Sequence, residues 1–287
     1  MQFSEHFRAM NTDIDTVIGA PEAPIAAFVE TRLLFEQQEA RFSRFREESL
    51  LSRLNRGEAI NDPWLDTALE LAIEAHAQTG GLFNPMVLPA LARAGYDRSF
   101  DLVTGGAPAS VEVPSPSSCL DRAPDGWQLV AGAVDLGGIV KGWTADLAVE
   151  HLVTHFPDVF LNAGGDIRCE GAEERAPGWK VEVEAPAGGI AWAGSVQGAI
   201  ATSSTLKRRW RTGTGGTAHH LIDPRTGLPA RTPFAQVTVR AESCTWAEVW
   251  AKAVLIGGRE VLALADGYGL AVLALGPAGE RTSIGEW

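Results

Sequence analysis

The sequence predicts an α+β fold, a mixed and largely antiparallel sheet packed with helices. Three observations carry this. Stretches with the two-residue alternation of a strand, such as Thr12 to Ile18 and Trp179 to Glu184, outnumber stretches with helical spacing. They do not alternate regularly with helices, so they do not read as parallel βαβ units. The helical stretches also begin and end with recognisable chemistry, at Ser49 and Asp62-Pro63 for starts and at Gly80-Gly81 and Gly257-Gly258 for stops. With 287 residues, 45% of them hydrophobic, the chain can build a large core. It reads as one domain over 1–287, with an irregular excursion rich in Ser, Pro, Gly and Asp at about 97–125.

In chain order, Thr12 to Ile18 is an opening strand closed by Pro21 and Pro24. From about Pro24 to Phe42, Ile25, Phe28, Val29, Leu33 and Leu34 recur at helical spacing and predict an amphipathic helix. Ser49 caps a short helix to Asn55. A further helix starts at Pro63, where the missing N–H costs nothing, and stops at Thr79-Gly80-Gly81. Leu88 to Ala94 is a short helix after two proline bends. Trp127–Val130 and Ala133–Leu136 are expected as two strands that lead into Gly137-Gly138, a corner followed by a helix from Ala145 to Val153. Val159–Asn162 is a strand ending in a second glycine corner, Gly164-Gly165. Trp179–Glu184, Ala191–Val196, Gln197–Ser204 and Val237–Ala241 are strands. Asp223-Pro224-Arg225-Thr226-Gly227 is turn chemistry. Thr245 is expected to cap a helix from Trp246 to Leu255, on which Glu248 and Lys252 share a face. Leu270 to Leu275 is expected as the last strand.

Composition narrows the function. With 24 basic and 36 acidic residues, the net charge of −12 disfavours nucleic-acid binding through the bulk field. No apolar run reaches membrane-spanning length, so no membrane insertion is expected. No signal peptide or lipid-attachment cysteine is visible at the start of the chain, and the expected location is cytoplasmic. Cys119, Cys169 and Cys244 are widely spaced and form no C-x-x-C pair, which reads as reduced structural thiols.

No Walker pattern, no G-x-G-x-x-G and no G-x-S-x-G occurs. His219-His220 alone has no metal-ligand spacing, and Glu248–Lys252 alone is an ordinary helix pair. What stands out is a set: two Gly-Gly corners each with an acid (Asp135, Asp166), a strand end in Thr202-Ser203-Ser204, a basic cluster at Lys207-Arg208-Arg209, and His220-x-x-Asp223-Pro224. Backbone nests, hydroxyls and cationic side chains suit a diphosphate. Neighbouring carboxylates suit a divalent cation that bridges the phosphates.

In this order the set resembles the ApbE-type FAD:protein FMN transferases. The resemblance rests on Met10-Asn11-Thr12 (usually Met-Gly-Thr), Phe42-Ser43-Arg44-Phe45, Asp135 to Gly142, Asn162-Ala163-Gly164-Gly165-Asp166, His220 to Gly227, and Ala201-Thr202-Ser203-Ser204. It implies an ApbE-like, T-fold-related body. It also implies a reaction in which FAD binds through its diphosphate on Mg²⁺, a threonine hydroxyl of an acceptor flavoprotein attacks the phosphate on the FMN side, and AMP leaves. By resemblance Met10, Phe45, Asp135, Lys141, Thr202, Ser203, His220 and Ile222 would contact FAD. His220 would be the catalytic base, its imidazole titrating near neutrality. Gly138 through its carbonyl and Glu248 through its carboxylate would hold the metal. The chain departs from the family at one point: Lys252 stands where a threonine ligand is usual. An ammonium cannot coordinate Mg²⁺ and repels it; it can instead sit in the metal's place and pair with Glu248. The alternatives to transfer are an FAD-binding protein without catalysis and a slow hydrolase giving FMN and AMP.

Overall fold

The computed structural model describes residues 1–103, 105–171, 178–213 and 215–287. Its centre is an eight-stranded sheet in which every neighbouring pair is antiparallel. The spatial order is Gln2–Ala9, Thr12–Gly19, Asp158–Ala163, Asp166–Glu170, Gly198–Ser204, Gln236–Ala241, Ala271–Leu275 and Arg281–Ile284. Three strands of the sheet, Gln2–Ala9, Asp166–Glu170 and Arg281–Ile284, extend the sequence reading. Gln2–Ala9 forms a hairpin with Thr12–Gly19, and Arg281–Ile284, not Ala271–Leu275, closes the sheet. The hairpin turns on Met10 and Asn11, both at positive φ (50° and 57°). That is the primed two-residue turn whose twist suits antiparallel strands, and Asn tolerates it.

Among the described residues seven α-helices complete the fold: α1 Ile25–Phe42, α2 Leu50–Asn55, α3 Pro63–Gln78, α4 Leu88–Ala94, α5 Val140–Leu152, α6 Cys244–Gly257 and α7 Leu262–Gly267. α1, α5 and α6 cover one face of the sheet, where Phe28, Phe35, Ala145, Val149, Ala201 and Ala247 share a core with Ile14, Ile18 and Leu161. The other face is covered by a separate hairpin, Trp179–Glu184 with Ile190–Val196, which packs on Ile167, Ile200, Leu273 and Leu275. The excursion, apart from residue 104, which lies outside the described residues, holds two single-turn 3₁₀ helices and one short strand, Leu120–Ala123.

The capping chemistry accounts for several helix starts. Asp62 accepts from the backbone N–H of Trp64 (2.9 Å) and Leu65 (3.1 Å), and Ser49 accepts from Ser52 (3.0 Å). α6 is capped two residues earlier than expected. Ser243 receives the Trp246 N–H, and Thr245, expected as the cap, sits inside the helix with its hydroxyl donated to Asp146 (2.6 Å). The buried stripe of α1 also differs from the expected one. Phe28, Thr31, Phe35, Gln38 and Phe42 face inward, while Ile25, Val29 and Leu33 are exposed. Residues 133–136 are not a strand. The side-chain amide of Asn55 takes the place of a neighbouring strand, accepting from Val134 N–H (2.7 Å) and donating to its carbonyl (2.9 Å). Asp135 N–H reaches the Pro85 carbonyl at 2.8 Å. A buried segment needs its backbone groups paired, and a side chain satisfies that need as well as a ladder does.

Candidate active site

The glycine corners meet where the hairpin turn, α5 and α6 converge. Gly164, at φ +66°, lies against Thr12, so a side chain there would collide with the Thr12 hydroxyl. This contact brings the second corner to the turn at Met10. From the first corner α5 sets out, and from the second Asp166 reaches back to form a buried ion pair with Lys141. Asp135 pairs instead with Arg44, at 3.1 Å.

α5 and α6 cap each other. Ile139, at the start of α5, offers no side-chain cap, and Glu248 of α6 supplies one by accepting the Gly142 N–H at 2.8 Å. In return Asp146 of α5 accepts from Cys244 N–H (2.7 Å) and Thr245 N–H (2.8 Å) at the start of α6. Carboxylates at helix N-termini satisfy orphan donors and complement the helix dipole. Close approach is possible because residue 142 is glycine; an added Cβ would stand 2.6 Å from the Cys244 carbonyl oxygen.

Glu248 has a second task. Its Oε1 lies 2.9 Å from Lys252 Nζ and 3.4 Å from Lys141 Nζ. Burial would push this carboxyl up, but the two ammonium groups and the Gly142 N–H outweigh burial and hold it down at about 2. Beside this cluster is His220. Burial first, then the positive charges of Arg208 and Lys252, push its imidazole well below the ordinary histidine value, so it is neutral at pH 7. Its buried Nδ1 has no hydrogen-bond partner. The preceding His219 is used structurally, its Nε2 on the Ala230 carbonyl (3.1 Å) and its Nδ1 on the Leu221 N–H (3.3 Å).

Arg44, Asp135, Lys141, His220 and Lys252 line one cavity of about 670 Å³, a size suited to a small-molecule ligand. Of the residues read from sequence, Met10, Phe45, Asp135 and Lys141 are on its wall, with Gly138, His220, Ile222 and Lys252. Glu248 lies behind Lys252, 2% exposed. Thr202 and Ser203 are not on the wall. Thr202 faces the other side of the sheet, bonded to the Thr238 hydroxyl at 2.9 Å; Ser203 is buried on the helix side. Phe45 is half-exposed at the rim, where the Arg44 guanidinium lies over it at 4.4 Å and over Tyr96 at 4.6 Å.

Sequence reasoning gave no role to Arg44, Tyr96 or Gln38. Arg208, read only as part of the basic cluster Lys207-Arg208-Arg209, sits at a strained positive φ of 47° on the cavity wall. Gln38 is fully buried on the wall with neither amide atom hydrogen-bonded. A glutamine inside an apolar helical stripe was the available signal.

The Mg²⁺ implied by the resemblance can be tested against these donors, and they do not fit it. Both Glu248 oxygens are engaged, one by Gly142 N–H and one by two ammonium groups. Lys252 runs past Gly138, its Cε 3.2 Å from where a Gly138 Cβ would be. Among the described residues no group of three or more His, Cys, Asp or Glu side chains is placed to hold a metal ion.

The helix-backed antiparallel sheet carries the glycine corners to a cavity whose wall holds Lys141, Lys252 and Arg208, cations that suit an anionic ligand. The chain belongs to the ApbE family, whose model matches residues 10–274. It is 31% identical over 267 residues to the FAD:protein FMN transferase of Treponema pallidum, covering 82% of this chain and 72% of that protein. The FAD:protein FMN transferase of Haemophilus influenzae is 24% identical over 265 residues, 85% of this chain and 76% of that one. Among solved structures, the ApbE protein from Thermotoga maritima superposes with a TM-score of 0.88 at 23% identity, covering 98% of this chain and 96% of that one. The flavin transferase ApbE from Vibrio cholerae gives 0.80 at 22%, covering 99% and 96%. At these identities the structures establish the shared fold.

Proposed function

We propose that this chain transfers the FMN half of FAD to a hydroxyl of an acceptor protein and releases AMP. The observation that carries the reading is a single cavity in which the fixed ammonium groups of Lys141 and Lys252 stand beside a neutral histidine, in a chain of the ApbE family. The diphosphate lies against Lys141 and Lys252, which offset its charge. The acceptor's hydroxyl oxygen attacks the phosphorus of the FMN half. The bond from that phosphorus to the bridging oxygen breaks, and the oxygen leaves on AMP. His220 takes the hydroxyl proton, since its imidazole is unprotonated and its Nδ1 is unengaged. Phe45, Met10 and Ile222 contact the flavin or adenine rings, and Asp135 orients Arg44 at the rim. No step is assigned to Mg²⁺, because Glu248 is already committed to Gly142 and the two lysines.

We further propose a threonine as acceptor residue, one transferring unit spanning the chain, and a cytoplasmic site of action. No helix among the described residues is long and apolar enough to cross a membrane. Three buried, unpaired thiols suit a reducing compartment. The test supplies FAD and the purified chain to cytoplasmic proteins of its source, then reads in-gel flavin fluorescence and AMP by chromatography. A fluorescent band that requires both FAD and the chain supports transfer. Free FMN with AMP and no band indicates hydrolysis, and intact FAD refutes the reading.

A further inference from the structure

We propose that Lys252 occupies the place of a divalent cation in this site, so that the chain binds the FAD diphosphate without metal. The inference rests on the FAD reading above. Lys252 is on the cavity wall, and its Nζ is anchored at 2.9 Å on Glu248 Oε1 and 3.4 Å on the Glu248 carbonyl oxygen. An anchored ammonium presents its remaining donor to the cavity at a fixed point. A glycine at 138 leaves the room for this side chain: a Cβ there would stand 3.2 Å from Lys252 Cε and 3.4 Å from its Cδ.

The rest of the cluster is consistent with this exchange. A divalent cation on Glu248 would need at least one free carboxylate oxygen. It would also sit within a few ångströms of two ammonium groups, where repulsion in a partly desolvated site is large. Glu248 instead serves as counter-ion to Lys141 and Lys252 and as the cap of α5. Asp166 is spent on Lys141. The cationic side chains lining the cavity include Lys141, Lys252 and Arg208, each fixed to the chain and independent of metal supply.

The test is FAD binding, followed by quenching of flavin fluorescence, in EDTA and in excess Mg²⁺, with Mn²⁺ electron paramagnetic resonance as a second readout. The wild-type chain should bind FAD equally in both conditions and leave the free-Mn²⁺ signal unchanged when FAD is present. Lys252→Met should weaken FAD about tenfold or more in EDTA, whereas Lys252→Arg should retain binding. If Mg²⁺ tightens wild-type FAD binding about tenfold, or stoichiometric Mn²⁺ is captured by the complex, the metal-replacement idea is overturned while the FAD reading stands. Lys252→Met binding FAD as the wild type does, in a folded chain, overturns it as well. Absence of FAD binding under either condition removes the transferase reading and this inference with it. The wild-type measurements need no variant, so a Lys252→Met chain that fails to fold leaves the decision to them.

Discussion

Glu248→Gln is the perturbation that most directly probes how this site is held together. The variant keeps the shape of the side chain and removes its charge. In the wild-type chain that charge lies between Lys141 and Lys252 and caps α5, and the carboxyl is depressed from an ordinary 4.5 to about 2. A depression of that size corresponds to about 3 kcal/mol of stability at neutral pH. Breaking one partner out of a buried ion cluster costs about 3–5 kcal/mol, the same range. The sign follows from the direction of the shift. A carboxyl depressed in the folded state contributes fully above its unfolded value near 4.5 and loses the contribution as pH falls toward 2. The assay is urea unfolding followed by tryptophan fluorescence from pH 7 to pH 3. Glu248→Gln should be about 3 kcal/mol less stable at pH 7, with the gap to wild type narrowing below about pH 4.5. A gap under about 1 kcal/mol at pH 7, or one that does not narrow in acid, would refute the electrostatic account.

Three other outcomes are expected. His220→Gln should lower the transfer rate by about 10²- to 10⁴-fold while FAD still binds, and the acid limb of the wild-type rate profile should lie well below pH 6.5, because the imidazole is depressed. Gly164→Ala should cost about 1–3 kcal/mol in a thermal melt, since it forces a side chain into positive φ and against Thr12. Gln38→Met should stabilise the ligand-free chain by about 1–2 kcal/mol by removing an unsatisfied buried amide, and an unchanged or lower melting temperature would contradict that.

Much of this molecule was legible in its sequence where the signal was local. Asp62-Pro63, Ser49 and the glycine at 80 (φ +61°) act within one helical turn, and they behave as their chemistry dictates. The cavity wall was largely legible as well, because Met10, Asp135, Lys141, His220 and Ile222 belong to contiguous motifs. What escaped depends on partners distant in the chain. Ala133 to Leu136 has a strand's composition, but its pairing comes from Asn55. Thr245 looks like a cap, yet Asp146 draws it into the helix. The α1 stripe misled because an aromatic ridge of Phe28, Phe35 and Phe42 outcompetes Ile25, Val29 and Leu33 for the core. Thr202 was placed by motif, and strand alternation turned it to the opposite face.

The mutual capping of α5 and α6 has a mechanical consequence. Each helix's first turn is held by a carboxylate belonging to the other, so unwinding either one takes backbone donors away from a buried carboxylate on its neighbour. The two helix starts are therefore coupled. Lys141 stands at one of those starts, and Lys252 is tied to the residue that caps it. Both ammonium groups meet on the one Glu248 carboxylate oxygen, so their separation is set by that shared counter-ion. The cavity presents its positive charges at a set spacing before any ligand arrives, and ordering them costs little when one binds.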